Sequence, residues 1–234
     1  MNRREFIKKS GYVSAIASGI TLTSFVSAKA DKNKRWSMLI DTNKCADNCN
    51  LCVVACAEEN GWGNDEKSNT AQKPVWIKKL KVEDRVTKKQ SNVIMMCQHC
   101  EKPPCVDVCP TNASMKRDDG IVLVDKHRCI GCRYCMIACP YDARSFVHEN
   151  ITNQKSHMPR GKGTVEACTM CAHRIDKEDI PACVSACNKS GNNAILFGDM
   201  NDSKSDIYKA LKTYQSSQIR ADLNLNTGVR YSGL

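Results

Sequence analysis

Cys129-Ile130-Gly131-Cys132-Arg133-Tyr134-Cys135-Met136-Ile137-Ala138-Cys139-Pro140 is the stretch on which the reading of this chain turns. Its spacing is C-x2-C-x2-C-x3-C-P, the arrangement that wraps a cubane [4Fe–4S] cluster. The first three thiolates sit on a tight loop and reach three irons of one cubane. The fourth points away and serves a second cluster. Gly131 lets the loop backbone fold close to inorganic sulfur. Pro140 ends the short helical turn that carries Cys135 and Cys139. A zinc site uses two separated pairs of ligands, not four thiols packed this tightly ahead of a proline.

A fourth thiol that leaves for another cluster demands partner runs, and the sequence supplies three. Cys97, Cys100, Cys105 and Cys109, with Pro110 behind them, read C-x2-C-x4-C-x3-C-P. Cys45, Cys49, Cys52 and Cys56 read C-x3-C-x2-C-x3-C, and Cys168, Cys171, Cys183 and Cys187 read C-x2-C-x11-C-x3-C. The four quartets use all sixteen cysteines, and each closes on the same x3 interval. Four quartets of thiolates imply four [4Fe–4S] clusters. A disulfide scaffold is the competing use of many cysteines in an exported chain, but such scaffolds scatter them through loops of varied length.

At 234 residues the chain has room for one or two domains. Aromatic residues make up 6% and the mean hydropathy is −0.45, so a large ordinary core is not expected. Metal binding then becomes folding free energy, and the apo chain is expected to be largely unfolded. The net charge is +10, and residues 1–30, with five basic residues and one acidic, account for +4 of it, leaving +6. Four oxidised cubanes of about −2 each would bring the loaded protein near −2. Lys44, Lys102, Lys126, Arg128, Arg133, Arg144 and Arg174 lie near cysteines in sequence and read as cluster compensation. No interleaved aromatic and basic pattern calls for a nucleic-acid partner. No Ser/His/Asp set, paired carboxylates or Gly-rich phosphate loop stands out. The chain reads as an electron conductor without a catalytic site of its own.

The N-terminus reads as targeting and not as fold. Asn2-Arg3-Arg4-Glu5-Phe6-Ile7-Lys8 looks like a twin-arginine signal, followed by a mildly apolar run from Gly11 to Val26 and an A-x-A cleavage site at Ala28-Lys29-Ala30. The run is short and rich in Ser, Thr and Gly, which favours a removed signal over a spanning helix. That route exports folded proteins, so clusters would enter before export. The expected location is periplasmic, peripheral to the inner membrane.

Along the chain, Trp36 to Ile40 reads as a strand, Leu51 to Glu59 as a helical turn capped by Gly61, and Gly63 to Lys73 as an exposed loop. Val75 to Val82 reads as an edge strand with lysines on its solvated face. Ser91 to Met96 is an apolar approach to the next quartet. Cys97–Cys109 and Cys129–Cys139 form an internal repeat, each followed by a strand, Ile121–Asp125 and Arg144–Val147. Glu149 to Gly163 reads as a surface loop, Ala172 to Pro181 as a turn, Ala194 to Asp199 as a final strand and Ser205 to Gln215 as a surface helix. The tail from Asn224 to Leu234 has no strong pattern and is expected to run along a partner.

At the four quartets the sequence resembles the four-cluster ferredoxin-type electron-transfer subunits that serve membrane-associated formate dehydrogenases, dimethyl sulfoxide and polysulfide reductases, and certain hydrogenases. The resemblance covers roughly Arg35 to Asp202. It rests also on Ile40-Asp41, Cys97-Gln98-His99-Cys100, Pro103-Pro104-Cys105, Cys139-Pro140-Tyr141-Asp142-Ala143-Arg144 and Ile180-Pro181-Ala182-Cys183. It implies an α+β fold of two ferredoxin-like dicluster modules with short strands, short helices and long loops. Residues 31–96 with 145–202 would form the first module, 97–144 the second, and 203–234 a C-terminal helix and tail. The implied ligand sets are crossed: Cys45, Cys49, Cys52 and Cys187; Cys56, Cys168, Cys171 and Cys183; Cys97, Cys100, Cys105 and Cys139; Cys129, Cys132, Cys135 and Cys109. Quartet one departs in its three residues between Cys45 and Cys49, and quartets one and four lack the trailing proline, having Ala57 and Asn188. Cys187-Asn188-Lys189-Ser190-Gly191-Asn192-Asn193-Ala194 and Thr227-Gly228-Val229-Arg230-Tyr231 are most similar to the periplasmic iron–sulfur subunits of the Dsr membrane complex of sulfur-metabolising prokaryotes. That subgroup implies a multispan quinone-interacting membrane subunit and a multihaem cytochrome c as partners. The alternatives are a subunit of a molybdopterin reductase of the polysulfide or tetrathionate type, a hydrogenase subunit, or a structural zinc or disulfide protein.

His99 and His173 lie within quartets and are read as bonding sulfur or lining loops, since cysteines already serve every cluster. Tyr134 and Tyr141 are read as packing against the cubanes and not as redox way-stations.

Overall fold

The computed structural model describes residues 30–63, 73–151 and 154–234. The twin-arginine segment ahead of Ala30 and most of the loop expected over Gly63 to Lys73 lie outside the described residues. The elements in chain order are β1 (Trp36–Asp41), α1 (Leu51–Asn60), β2 (Ile77–Glu83), β3 (Gln90–Met96), α2 (Pro104–Asp107), β4 (Ser114–Lys116), β5 (Val122–Val124), α3 (Tyr134–Ile137), β6 (Ser145–Phe146), β7 (Val165–Glu166), α4 (Ala172–Ile175), α5 (Ala182–Lys189), β8 (Ile195–Asp199), α6 (Asp206–Thr213) and β9 (Val229–Ser232). The class is α+β built of short elements.

β1 is the centre of the largest sheet, with order β8-β1-β9. β8 runs antiparallel to it with Met38 opposite Phe197, and β9 runs parallel with Ile40 opposite Tyr231. Met38, Ile40, Val229 and Tyr231 are buried, so this sheet packs its inner face on the cysteine-rich core. The tail expected along a partner thus supplies the edge strand β9 of this sheet. Thr227-Gly228-Val229 follows the second quartet's loop, and the Gly228 amide donates to the Gln98 carbonyl at 2.8 Å. The Tyr231 hydroxyl donates to the Ile94 carbonyl and accepts from Gln98 Nε2, both at 3.0 Å.

Ser91 to Met96, read as a mere approach, is the second strand of a hairpin, β2–β3, with Ile77 opposite Met96 and Glu83 opposite Gln90. Asp84 closes its turn by accepting from the Val86 and Thr87 amides. Of the lysines assigned to a solvated face, Lys79 instead gathers the carbonyls of Ala46, Asp47 and Cys49 at 2.6, 2.6 and 3.0 Å. It thus braces the wider C-x3-C loop of quartet one.

The stretch over Glu149 to Gly163 is not wholly surface. Arg160 is buried and bonds Glu166, which is fully buried, at 2.9 Å. The indole of Trp76 donates to the same carboxylate at 3.1 Å. A buried pair stripped of one partner leaves an unanswered charge, so the triad anchors this loop to the hairpin. The turn expected between Cys171 and Cys183 contains the short helix α4, and Cys183 and Cys187 lie on α5, which the spacing did not announce. α6 covers the back of β8 with Ile207 fully buried. Gly198 makes room for it, since a Cβ there would meet Ile207 Cγ2 at 3.0 Å.

Candidate metal centre

The x3 interval that closes each quartet is an i,i+4 relation. Cys52 and Cys56 on α1, Cys183 and Cys187 on α5, and the pairs Cys105/Cys109 and Cys135/Cys139 around α2 and α3 follow it. Such residues share a helix face and stand about 6 Å apart along the axis. The separation of the fourth thiol thus comes from one helical turn of rise; it does not come from facing the other way. α1 packs against α5, and α2 against α3. Each packed pair of turns presents two levels of thiols.

The three loops with a C-x2-C start curl alike. The residue before the second cysteine is left-handed in each: His99 at φ 43°, Gly131 at 72° and Met170 at 54°. Both C-P turns then place a left-handed residue three positions after the cysteine, Asn112 at 52° and Asp142 at 48°. This common curl turns backbone amides inward, as anion-binding nests do. The Ser114, Met170 and Ala194 amides donate to Cys109, Cys168 and Cys187 Sγ at 3.4, 3.3 and 3.2 Å. Trp62 Nε1, which the cysteine spacing gave no reason to single out, donates to Cys56 Sγ at 3.4 Å just past the Gly61 cap.

The thiols gather in a definite order. Cys45, Cys187 and Cys49 surround Cys52. One small cavity is lined by Cys56, Cys168, Cys171 and Cys183 with Met38 and Trp76. Cys97, Cys105 and Cys139 surround Cys100. A second small cavity is lined by Cys109, Cys129, Cys132 and Cys135 with Phe146 and Val165. Neighbouring groups touch electrostatically: Cys52 acts on Cys183, Cys97 on Cys168, and Cys105 on Cys135. The outer groups reach the surface, where Cys45 and Cys49 are partly exposed and Cys132 is exposed, whereas Cys56, Cys168, Cys171 and Cys183 are buried. None of the sixteen cysteines is in a disulfide.

Burial pushes the thiols of Cys52, Cys56, Cys97 and Cys100 up to about 12. They would bind iron as thiolates only by releasing protons, as metal loading of thiol sites requires. The donors present suit an iron–sulfur group. Arg144 Nη1, His99 Nε2, Tyr141 OH, Ser114 Oγ and Thr169 Oγ1 are buried without an acceptor among the described residues. Ser114 and Thr169 line the two cavities, Arg144 touches Cys105, and Tyr141 lies beside Cys100 and Cys139. Sulfide and thiolate are the acceptors such groups lack. His99 Nδ1 accepts from the Val122 amide at 3.0 Å, which places its proton on Nε2. Burial first, then Arg144 and Arg35, draws this imidazole down to about 3, so it stays neutral. His173 bonds Glu59 at 2.8 Å. Tyr141 is buried and Tyr134 exposed. Among the cations read as compensating clusters, Arg144 donates to a thiol, whereas Arg133 bonds His148, Arg174 pairs with Glu59 and Asp179, and Lys44 pairs with Asp41.

Residues 91–199 match the 4Fe-4S dicluster domain family. The chain is 40% identical over its whole length to the Hdr-like menaquinol oxidoreductase iron-sulfur subunit 1 of Archaeoglobus fulgidus, with 98% of that protein covered. The chain belongs to the ferredoxin-type iron–sulfur electron-transfer subunits. Other members of this family are a tetrathionate reductase subunit of Salmonella typhimurium, at 34% identity over 92% of this chain and 81% of the relative, and the menaquinone reductase iron-sulfur cluster-binding subunit of Nitratidesulfovibrio vulgaris, at 31% over 84% and 88%. Its short-element α+β fold is compatible with the dicluster architecture of the family. Among the described residues no helix is long and apolar enough to cross a membrane.

Proposed function

We propose that this chain is an exported subunit that holds four [4Fe–4S] clusters in the crossed sets and conducts electrons between a quinone-interacting membrane subunit and a redox partner of sulfur metabolism, in a Dsr-type complex with a multihaem cytochrome c. Bound cubanes would supply one-electron exchange. The protein's own part is to hold thiols in succession, exclude water and offer docking ends. The observation that carries the reading is the unbroken order of thiol groups, from the partly exposed Cys45 and Cys49 through buried thiols to the exposed Cys132. Both ends carry bare apolar residues, Leu51 and Val54 at 47% exposure and Ile130 and Ile137 at 68% and 80%. Such residues fit partner contacts that keep water from the point of electron exchange. Two relatives named for menaquinol and menaquinone support a quinone-linked partner. The two-module division, with residues 97–144 as one unit, is part of the proposal. So is periplasmic export by the arginine-pair signal.

A second reading, a molybdopterin reductase subunit, draws on the tetrathionate reductase relative. Molybdenum and haem analysis of the complex purified through this chain separates the two.

Anaerobically purified protein should carry about sixteen irons per chain, and a value near half of that sinks the four-cluster reading. Paramagnetic resonance over a redox titration tests the crossing. Cys139→Ala should remove the signal of the Cys97, Cys100 and Cys105 cluster, and Cys129→Ala a different one. Loss of the same signal in both variants would show the sets to be uncrossed.

A further inference from the structure

Arg144 is a buried cation that no carboxylate among the described residues answers. It is 4% exposed, and its Nη2 donates to Cys105 Sγ at 3.0 Å. The groups acting on its charge are thiols: Cys105, Cys97, Cys135 and Cys139. Its Nη1 is also buried and has no partner among the described residues. The other buried arginines among the described residues are each answered by a carboxylate: Arg35 pairs with Glu101, and Arg160 is bonded twice to the buried carboxylate of Glu166. A guanidinium removed from water is costly unless a charge answers it, and a neutral thiol does not. Arg144 therefore fits this interior only where the sulfurs beside it carry negative charge.

Its position between two thiol groups matters more than its burial. Cys97, Cys105 and Cys139 belong to one proposed set and Cys135 to the next. Nη2 reaches Cys105 of the first set, and Cys135 of the second also acts on the guanidinium charge, while Nη1 keeps a donor in reserve. Among the described residues the other eight cysteines have no equivalent. Cys56 takes its bonds from the neutral Trp62 and Asn60 side chains, and Cys168 from the Met170 amide. Arg174, near Cys171, is partly exposed and spent on Glu59 and Asp179. Lys79, near Cys45, is spent on three carbonyls.

We propose that Arg144 raises the reduction potentials of the two clusters held by Cys97, Cys100, Cys105 and Cys139 and by Cys109, Cys129, Cys132 and Cys135, and so makes the two halves of the conductor unequal. The inference rests on the crossed sets proposed above. Each reduction adds one electron and one negative charge, taken from the donor partner or, in a titration, from dithionite. The guanidinium stays protonated throughout, so no proton need accompany the electron. A fixed cation and its hydrogen bonds to sulfur favour the more negative, reduced state, and these are recognised controls on cluster potential.

The test is a potentiometric titration of the whole loaded protein, followed by paramagnetic resonance, for Arg144→Gln and Arg144→Lys. Arg144→Gln should shift two of the four midpoint potentials downward and leave the other two in place, with the iron content unchanged. Arg144→Lys, which keeps the charge but loses the guanidinium, should shift the same two by less. A merely structural role would lower stability without moving potentials, and unmoved potentials at full iron content overturn the proposal. So does an equal shift of all four. Should Arg144→Gln lose iron, the lysine variant decides alone on the same criterion. The identity of the shifted signals is read against the Cys139→Ala and Cys129→Ala proteins. Two shifted signals that both fail to match those cysteines would count against the crossed sets, whereas matched signals that do not shift count against Arg144.

Discussion

Gly131 answers two demands at once. Its φ of 72° is left-handed, and a Cβ on it would run into the carbonyl oxygen of Gly163. His99 and Met170 hold the same left-handed place in their own loops, at φ 43° and 54°, so that conformation alone does not require glycine here. The contact with Gly163 does. Gly191, at φ 80° with nothing near its missing Cβ, supplies the control. Gly191→Ala should cost about 1–2 kcal/mol of left-handed strain, a fall in Tm of roughly 2–8 °C. Gly131→Ala should cost clearly more and release iron from the proposed Cys109, Cys129, Cys132 and Cys135 site. Anaerobic thermal unfolding followed by visible absorbance compares them. Equal falls would mean that the Gly163 carbonyl simply moves aside. The glycine was legible in the sequence as a tight-loop residue; the partner that makes it necessary was not.

Among the elements, β9 departs furthest from its sequence. Val-Arg-Tyr-Ser is too short to declare an alternation, and its parallel partner β1 lies at the other end of the described chain. What holds it is tertiary: a buried tyrosine hydroxyl between the Ile94 carbonyl and Gln98, beside the loop that carries Cys97 and Cys100. Tyr231→Phe leaves both groups buried and short of a bond, and should cost about 1–3 kcal/mol. Tyr231→Ala adds a cavity and should cost about 3–5 kcal/mol. Denaturant titration of the loaded protein checks both, and a neutral Tyr231→Phe would show that water replaces the hydroxyl. The hairpin β2–β3 was half legible. Its first strand was legible as an apolar and lysine-rich run over Val75 to Val82, but nothing in Ser91 to Met96 marks it as the return strand until Asp84 is seen folding the turn.

At the scale of the molecule, the core is built around thiols, with Met38, Ile40, Trp76, Ile77, Met96, Met170 and Val184 packed among the cysteines. A chain whose interior needs metal to be complete must be loaded before it is closed. That ties the proposed export route to the fold, because a twin-arginine signal would carry a folded protein. Substituting Arg3→Lys and Arg4→Lys together should leave an iron-loaded precursor in the cytoplasm and less than about a tenth of the normal periplasmic amount. Fractionation with iron analysis measures it, and undiminished periplasmic protein would refute the route.

The sequence by itself determined the chemistry: sixteen cysteines in four quartets, each closing on an i,i+4 step, name iron–sulfur ligation because loop curl and helical rise are local properties that spacing encodes directly. Spacing alone did not say which thiols meet, and the crossed sets came only through resemblance; the tertiary structure brings Cys187 beside Cys52 and Cys109 beside Cys129, and it alone decided that Arg144 lies near two groups and that the tail closes the central sheet. Those depend on α2 packing against α3, and on α1 packing against α5 and β9 against β1 across most of the described chain. Such pairings are set by the fit of whole surfaces, which no spacing between neighbouring residues records.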